Sequence, residues 1–320
     1  MNTKKILVTG GTGFIGANLI RKLTDRGFDT TLILRKESNL WRIKDVLKKV
    51  RVLEVDLLNK NKLLKEVDKI KPNIVYHLAA YGAYSYQDDA EKILSTNIFG
   101  TLNLLNSCNN TDLNLFVNTG SSSEYGFKEK PMKETDLLEP NSYYATAKAA
   151  QTHLCNYYYK NFNLPVVTLR PFSVYGPYEE PGRLIPNIMK SFYQKTELKM
   201  VSKSIVRDFI YIDDYIDLCL KIENLKKYPG QIFNVGSGFQ TNFSNLLGIF
   251  KKVVKTEGKI TWETNKGKSW DTKSWRADIT KTSKLIEFKP RNSIEQGLQK
   301  SWKWFKTNNQ FYLDKFNENN

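Results

Sequence analysis

A strand, a glycine-rich turn and a helix open this chain, and no other feature constrains its fold as strongly. Ile6-Leu7-Val8 is a short apolar run that is typical of a buried strand. Apolar residues then recur at helical spacing from Phe14 to Leu23, and Gly27 supplies a helix stop. A glycine-rich turn placed between such a strand and such a helix indicates a dinucleotide-binding fold.

The turn places glycine where a side chain would obstruct a ligand. Gly11, Gly13 and Gly16 fit the pattern G-x-G-x-x-G, and Gly10 gives a second spacing with the last two. Such glycines permit a tight turn, close approach of the backbone to a pyrophosphate, and close packing of the helix on the strand. The N-terminus of the helix would then present free N–H groups and a positive dipole end to the phosphates.

Length and composition exclude several classes of protein. The 320 residues suffice for one large domain or two modest ones, and no apolar run approaches the ~20 residues that a membrane helix needs. The N-terminus leads directly into a core strand, and the three cysteines lie scattered in apolar helical patterns. We therefore predict a cytoplasmic protein with reduced thiols and no signal peptide. The two histidines lack metal-ligand spacing, so we predict no metal site.

The formal net charge of +16 admits two interpretations. One is a basic surface for nucleic acid. The other is a solvated, lysine-rich exterior that steers phosphate-bearing substrates. Because the lysines are spread along the whole chain without a long basic run, we favour the second interpretation and predict no nucleic-acid partner.

Strand and helix patterns alternate through the first half of the chain. Strands are predicted at residues 6–8, 30–34, 50–54, 73–77, 113–117 and 166–169. The helical patterns between them include a long one from Ile93 to Leu105 and another from about Tyr143 to Tyr159. This alternation predicts an α/β fold with a doubly wound parallel sheet.

After Arg170 the alternation gives way to a loop-rich stretch that contains four prolines. We predict a smaller C-terminal substrate lobe beside the dinucleotide-binding domain, and a polar, asparagine-rich tail that frays. The predicted bounds are 1–170 with 204–240 for the dinucleotide-binding domain, 171–203 with 241–309 for the substrate lobe, and 310–320 for the tail.

The end of the second predicted strand decides between NAD and NADP. An acid there accepts a hydrogen bond from the ribose 2′-hydroxyl of NAD, and an arginine accommodates the 2′-phosphate of NADP. Arg35 and Lys36 stand at this point and favour NADP over NAD. Glu37 lies two residues late and would need a longer strand to serve NAD. Asp56, after the third strand, is a candidate for holding the adenine edge.

Tyr144 and Lys148 are the residues that we expect to carry chemistry. A spacing of four along the predicted helix places both side chains on one face. An ammonium beside a phenol lowers the pKa of the phenol below its usual value of about 10, so Tyr144 would move a proton near neutral pH. Serines 121–123 follow the fifth strand, where a hydroxyl would bond a substrate oxygen and Tyr144.

Further motifs are shared with one family. They are His77-Leu78-Ala79-Ala80, Asn97 with Gly100-Thr101, and the segments 170–177, 207–214 and 234–238. With the glycine turn and the Tyr144/Lys148 pair, they make the chain resemble an extended short-chain dehydrogenase/reductase of the nucleotide-sugar epimerase, dehydratase and reductase group. The resemblance runs from about Lys4 to Trp304.

The resemblance implies a role for each matching residue. Tyr144 would donate or accept the proton, Lys148 would bind the nicotinamide ribose, and Ser121, with Ser122 as the alternate, would be the hydroxyl partner. The other implied or expected cofactor contacts are Gly10, Gly13, Phe14, Ile15, Gly16, Arg35, Lys36, Asp56, Leu57, Leu78, Ala79, Ala80, Asn97 and Pro171. The expected substrate contacts are Ser122, Ser123, Ser173, Asn187 and Arg207, with Lys268 and Arg276 as competing candidates for a second contact to the diphosphate.

Departures from the family pattern bear on the reaction. Dehydratases of the family carry an Asp-Glu pair after the catalytic hydroxyl, whereas this chain has Ser122-Ser123. Glu124 would restore an acid only in a shifted register. The 4-epimerases usually have an acid where Arg35 stands. We therefore expect NADPH-dependent reduction of a 4-keto or 4-keto-6-deoxy nucleotide-diphospho-sugar, with hydride delivered to C4 and the proton supplied by Tyr144.

Two alternatives stay open. One is a nucleotide-sugar 4-epimerase or 4,6-dehydratase, which would keep its cofactor bound and turn over without added NADPH. The other is a cofactor-sensing binding protein without catalysis, which the net charge motivates and the intact Tyr144/Lys148 pair disfavours. The resemblance also implies a homodimer formed through two helices of each subunit, one of which carries Tyr144.

Overall fold

A computed structural model of the chain describes residues 4–109, 111–256, 258–262 and 274–317. The strands are β1 (Lys5–Thr9), β2 (Asp29–Leu34), β3 (Arg51–Glu54), β4 (Ile74–His77), β5 (Leu115–Thr119), β6 (Val166–Pro171), β7 (Ser173–Tyr175), β8 (Leu198–Met200), β9 (Val206–Arg207), β10 (Phe209–Tyr211), β11 (Ile232–Val235), β12 (Thr241–Asn242) and β13 (Ile260–Trp262). The helices are α1 (Phe14–Asp25), α2 (Lys60–Ile70), α3 (Ala90–Leu94), α4 (Gly100–Cys108), α5 (Tyr143–Phe162), α6 (Leu184–Gln194), α7 (Ile212–Cys219), α8 (Ile222–Leu225), α9 (Phe243–Val254), α10 (Thr280–Ile286), α11 (Ile294–Asn308) and α12 (Gln310–Asn317). A π-helical segment (Ser95–Phe99) joins α3 to α4, and short 3-10 helices lie at Leu47–Lys49 and Ser122–Tyr125.

Seven strands form the central sheet in the order β11–β6–β5–β4–β1–β2–β3. Every pairing in this sheet is parallel. The strand order reverses between β1 and β4, which is the switch point where ligands bind in doubly wound sheets. The predicted α/β fold with a doubly wound parallel sheet is therefore confirmed.

An apolar core covers both faces of the sheet, because successive side chains of a strand point to opposite faces. Ile6 and Val8 of β1 join the cluster that reaches α6, α7, α9 and α11. Leu7 joins the cluster on the other face, with side chains from α2, α4 and α5. Smaller pairs of strands, β7 with β10, β8 with β13 and β9 with β12, lie outside the sheet. The division into a dinucleotide-binding domain and a substrate lobe stays a prediction.

Two predicted elements differ from the structure. The fifth strand was expected at 113–117, but β5 covers Leu115–Thr119, because Leu113 N–H donates to the Thr111 carbonyl (2.7 Å) in a turn before the strand. The long helix expected from Ile93 to Leu105 is interrupted by the π-helical segment. A π turn inserts one residue into the helical repeat, and apolar periodicity alone does not reveal it.

The segment 310–317 is helical, and the prediction of a frayed tail is wrong for these residues. Tyr312 is buried, with ring centroids 5.3 Å from Phe305 and 5.8 Å from Trp304. Its hydroxyl donates to the Glu179 carbonyl at 2.9 Å. The segment is mostly polar, so its composition did not predict that one aromatic residue, Tyr312, packs against the rest of the chain. Within the described residues, no helix combines the length and apolarity needed to cross a bilayer.

Removing the Tyr312 anchor should destabilise the fold. We expect Tyr312→Ala to lower the free energy of unfolding by about 3–5 kcal/mol through loss of a buried aromatic ring. Tyr312→Phe should cost about 1 kcal/mol, because only the hydrogen bond is lost. Chemical denaturation measures both, with Leu137→Ala as the control because Leu137 is 75% exposed. Unchanged stability in Tyr312→Ala would contradict the packed helix.

Candidate active site

The glycine turn lies between β1 and α1, at the switch point of the sheet. Gly10 has a φ of 71°, and a Cβ at this position would lie 2.4 Å from the Ala79 nitrogen. A Cβ at Gly16 would lie 2.2 Å from the Gly10 carbonyl oxygen, and one at Gly11 would lie 2.3 Å from Ile20 Cδ1. The turn therefore needs glycine for its backbone conformation at Gly10 and for close packing at Gly11 and Gly16.

The start of α1 suits an anionic ligand. Gly13 is the N-cap and makes no side-chain capping bond, and the first turn, which includes Phe14 and Ile15, has no acidic residue. Capping serines or acids would otherwise occupy the N–H groups of this turn. A helix N-terminus of this kind, set on a glycine turn, fits the pyrophosphate of a dinucleotide.

The two residues predicted to read the adenosine ribose lie directly after β2. Arg35 and Lys36 are exposed. Arg35 N–H donates to Ser38 Oγ and its carbonyl accepts from Ser38 N–H, both at 3.0 Å, so the chain turns here. Because β2 ends at Leu34, the longer strand that Glu37 would need is not present.

The other predicted contacts on this side follow β3 and β4. Asp56 is exposed, and its Oδ1 accepts from Leu58 N–H at 2.8 Å. Leu57 is buried, and its carbonyl accepts from the Asn103 amide at 2.9 Å. The segment 78–80 follows β4 and borders the glycine turn, since Leu78 N–H donates to the Thr9 carbonyl at 3.1 Å.

Asn97, in the π-helical segment, holds the chain just beyond residues 78–80. Its Oδ1 accepts from Tyr81 N–H at 2.9 Å, and its Nδ2 donates to the Tyr81 carbonyl at 2.7 Å. His77 has a separate structural role, with its two ring nitrogens 2.7 Å from Thr9 Oγ1 and 2.8 Å from Thr101 Oγ1. Burial, with a smaller effect of the Lys148 charge, lowers the pKa of His77 to about 3, so it stays neutral.

Ser121, Tyr144 and Lys148 lie together beyond the carboxyl end of β5. Tyr144 is in the first turn of α5, which Ser142 caps by accepting from Ala145 N–H at 3.1 Å. The Ser121 side chain lies beside the Tyr144 phenol and lowers its pKa. Ser121 Oγ also lies 2.7 Å from Ser123 Oγ, whereas Ser122 is buried. Of the two serines considered as the hydroxyl partner, Ser121 is therefore the one that reaches the phenol.

The Tyr144 phenol lacks the lowered pKa that we expected from its spacing to Lys148. Burial raises the pKa of Tyr144 to about 12, against a smaller lowering by the Ser121 hydrogen bond. The Lys148 ammonium donates to the Thr119 carbonyl, and it donates to Gln151 Oε1 at 2.6 Å. The prediction of a lowered phenol pKa is wrong because burial of the phenol outweighs the groups that lower its pKa.

Glu124 is engaged in a buried ion pair. Its Oε2 lies 2.8 Å from Arg170 Nε and accepts from Thr152 Oγ1 at 2.9 Å. Its Oε1 accepts from Ser121 N–H at 2.7 Å, which completes a capping box for the 3-10 helix. Both carboxylate oxygens are thus occupied. Glu124 fixes the loop that carries Ser121, and the shifted register that would offer it as a second acid is not what the structure has.

The predicted substrate residues lie on the segments after β6. Pro171 ends β6, Ser173 opens β7, and Asn187 lies on α6 with its Nδ2 donating to the Gly182 carbonyl at 3.2 Å. The Arg207 guanidinium lies 5.6 Å from the Trp275 ring centroid, and Arg276 is the next residue. The structure thus brings the segments of both arginines together. Lys268 lies outside the described residues.

Asp208 joins the two arginine-bearing segments. Its carboxylate accepts from Ala277 N–H at 2.9 Å and from Ser237 N–H at 2.7 Å. A buried carboxylate that accepts hydrogen bonds from several backbone N–H groups holds the donor segments close to the segment that carries the carboxylate. The positions of residues 207 and 276 are therefore set by one side chain that lies between them.

Sequence reasoning missed a cluster beside Tyr144. Tyr84 and Arg183 both influence the pKa of Tyr144, which places both side chains near the phenol. Arg183 Nε lies 4.0 Å from Oε1 of buried Glu179, whose Oε2 has no hydrogen-bond partner among the described residues. The signal in the sequence was the pair Glu179-Glu180, which comes shortly after Tyr175-Gly176-Pro177. Two adjacent glutamates do not predict that one of them is buried.

The buried Glu179 carboxyl should make stability depend on pH. Burial raises its pKa from 4.5 to about 8, so its contribution to stability is complete below about pH 4.5 and is lost as pH rises through about 8. We expect the free energy of unfolding of Glu179→Gln to exceed that of the wild type by a margin that grows as pH rises. At high pH the margin should be on the order of 2–4 kcal/mol.

Denaturant titrations at a series of pH values measure this difference. Glu180→Gln is the neighbouring control, because it removes a carboxylate that pairs with Arg42 at 2.5 Å and leaves the Glu179 carboxyl in place. Parallel stability curves for Glu179→Gln and the wild type would contradict the buried, raised-pKa carboxyl.

Comparison with known proteins shows the family to which the chain belongs. A sequence model described as the NAD dependent epimerase/dehydratase family matches residues 6–236. UDP-glucuronate 4-epimerase 1 of Arabidopsis thaliana is 29% identical over 330 residues, covering 94% of this chain and 76% of the relative. The dTDP-D-glucose 4,6-dehydratase of Dictyostelium discoideum is 30% identical over 275 residues, covering 78% of this chain and 62% of the relative.

A solved structure shares both the sequence similarity and the fold. UDP-glucuronic acid 4-epimerase from Bacillus cereus, in complex with UDP-glucuronic acid and NAD, is 29% identical, with a TM-score of 0.85 over 95% of this chain and 99% of that one. The cofactor in that complex is NAD, so the comparison does not support the predicted preference for NADP. The match over most of the chain identifies it as an enzyme of the NAD-dependent epimerase/dehydratase family, within the extended short-chain dehydrogenases/reductases.

Proposed function

We propose that the chain is an NAD-dependent 4-epimerase of a nucleotide-diphospho-sugar. The observation that carries this proposal is the placement of the Ser121 hydroxyl beside the Tyr144 phenol, one helical turn from the buried Lys148 ammonium. Similarity to 4-epimerases whose names specify UDP-glucuronate supports the substrate class. The proposal takes the place of NADPH-dependent ketone reduction as the favoured reaction.

The chain's own residues would hold the cofactor at the switch point. The turn at Gly10 and Gly13 and the N-terminus of α1 would bind the pyrophosphate, with residues 78–80 along one side. Lys148 would bind the nicotinamide ribose. When bound, the dinucleotide supplies a hydride acceptor and donor for C4 of the sugar.

Tyr144 would act as the acid and base for the sugar O4. It would take the O4 proton as C4 is oxidised, and it would return that proton when the ketone is reduced on the opposite face. A phenol with a pKa of about 12 needs the phenolate form to be stabilised, and the Ser121 hydroxyl, which lowers this pKa, would donate to it. The Lys148 charge, one turn along α5, would add a second stabilising interaction.

Elimination of water is less well supported than epimerisation. The two residues after Ser121 are serines, which cannot serve as the acid and base of a dehydratase. The next residue, Glu124, has both carboxylate oxygens bound by Arg170, Thr152 and the Ser121 N–H. A ketone formed at C4 would therefore be reduced again rather than committed to loss of water.

Replacing the phenol should remove turnover without disturbing binding. We expect Tyr144→Phe to lower the rate of C4 inversion by about 10²–10⁴, because the proton acceptor is lost. Tyr143→Phe is the matched control, since Tyr143 is the neighbouring residue and is 61% exposed. Turnover of UDP-glucuronate by NMR and dinucleotide affinity by calorimetry are the measurements. Full activity in Tyr144→Phe would remove Tyr144 from the mechanism.

A second candidate is an NADPH-dependent 4-ketoreductase, favoured by the exposed Arg35 and Lys36 after β2. A reductase would consume one NADPH for each product molecule, whereas an epimerase would turn over without added reductant. If Arg35 binds a 2′-phosphate, Arg35→Asp should weaken NADP binding about 10- to 100-fold, the value of a charge-assisted hydrogen bond. Calorimetry with NAD and NADP checks this. An NADP affinity that is the same in Arg35→Asp as in the wild type would rule out NADP recognition by Arg35.

We also propose that a second copy of the chain is the partner at α5. Tyr157 and Phe162 on this helix are 53% and 47% exposed, and Phe99 at the end of the π-helical segment is 56% exposed. Analytical ultracentrifugation tests the dimer, and Tyr157→Lys should dissociate it.

A cytoplasmic location and the absence of a nucleic-acid partner remain predictions.

A further inference from the structure

A chain of buried polar side chains runs from Lys148 into the protein, and the proposed function uses only its first residue. Lys148 Nζ donates to Gln151 Oε1 at 2.6 Å, and Gln151 Nε2 donates to Asn118 Oδ1 at 2.6 Å. Asn118 Nδ2 donates to Thr168 Oγ1 at 3.1 Å. None of the four residues is more than 3% exposed.

The donors and acceptors of this chain fix its direction. An ammonium has only donors, so the group that faces Lys148 must be the Gln151 oxygen. The amide nitrogen of Gln151 then faces Asn118, which must present its own oxygen. If either amide were reversed, two donors would meet in a buried setting, which costs about 1–3 kcal/mol. The orientation of Gln151 is thus set from both sides.

The described residues give the Lys148 ammonium two acceptors, the Thr119 carbonyl and Gln151 Oε1. A lysine carries three N–H donors, so these two bonds leave one donor for a ligand. One acceptor lies on β5 and the other on α5, so together they hold the ammonium where strand and helix meet.

We propose that Gln151 is a positioning residue, whose amide oxygen, aimed by Asn118, holds the Lys148 ammonium charged and in place at the carboxyl end of β5. This inference rests on the proposed function only in assigning Lys148 a role toward the cofactor ribose. Gln151 itself does not touch the reacting atoms.

The electrostatic setting makes this support matter near neutral pH. Burial lowers the pKa of Lys148 to about 8, against the opposing charge of Glu124. Tyr144 and Cys155 on α5 and His77 on β4 are also near it, and burial keeps all three neutral by raising the pKa of Tyr144 and Cys155 and lowering that of His77. Loss of the Gln151 oxygen would remove a dipole that favours the charged form, and a carboxylate there would add to it.

Two substitutions move the Lys148 titration in opposite directions. We expect Gln151→Leu to shift its midpoint about one pH unit lower and Gln151→Glu to shift it at least as far upward. The direct readout is NMR of protein labelled at lysine Cε, with the Lys148 signal assigned by its loss in Lys148→Met. The alkaline limb of NAD affinity, measured by calorimetry without substrate, should move with it.

Thr168→Val is the matched control, because it breaks the same buried chain two hydrogen bonds away from the lysine. It should lower stability by about 1 kcal/mol and leave the Lys148 midpoint unchanged. If Gln151→Leu does not fold, Gln151→Glu alone decides the matter. A Lys148 midpoint that is unchanged in Gln151→Glu would overturn the proposal.

Failure of this inference is distinguishable from failure of the proposed function. The NMR titration reports on Lys148 whatever reaction the enzyme catalyses. A shifted midpoint together with full activity in Tyr144→Phe would leave the positioning role standing and remove the mechanism. An unshifted midpoint with an inactive Tyr144→Phe would do the reverse.

Discussion

The close approach of three backbone segments at the switch point is the constraint on which the remaining geometry depends. The turn after β1 passes within van der Waals distance of residues 78 and 79, and the start of α1 packs on the same turn. Any side chain at Gly10 or Gly16 would separate these segments. Because β1 and β4 pair directly, a separation here would also move the ends of β4 and β5, which carry the residues nearest the proposed chemistry.

Beyond β5, the oppositely charged side chains of Glu124, Arg170 and Lys148 lie buried close together. The Glu124–Arg170 pair is almost fully buried, and Lys148 lies close enough for its charge to lower the pKa of Glu124, although burial raises it overall. Burying three ionised groups is costly unless each is hydrogen-bonded. The described contacts meet this condition: the serine loop, Thr152 and Gln151 all bind one of these charges. The serine loop is thus held by electrostatics, which explains how a segment of small polar residues is kept in one conformation.

Much of the framework could be predicted from the sequence because it follows from local rules. The apolar runs of β1 and β4, the periodicity of α1 and the glycine spacing each have one physical interpretation. The pairing of Tyr144 with Ser121 was also within reach, since both follow predicted elements at the same edge of the sheet.

Local rules failed where the decisive partner is distant in sequence. The acceptors of Lys148 come partly from β5, and Glu124 is neutralised by Arg170, which lies 46 residues further on. The comparisons do not support the predicted preference for NADP, which rested on one exposed arginine at the end of β2.

The anchoring of α12 has a consequence for the loop beside the phenol. Tyr312 donates a hydrogen bond to the Glu179 carbonyl, in a loop whose Tyr178 has a left-handed φ of 68° and packs against Arg21 and Trp304. The glycine turn and the sheet are encoded far earlier in the chain. Two parts of the proposed site thus depend on distant stretches of the sequence: the glycine turn lies directly after the first strand, and a residue of the last described helix restrains the loop that leads to Arg183.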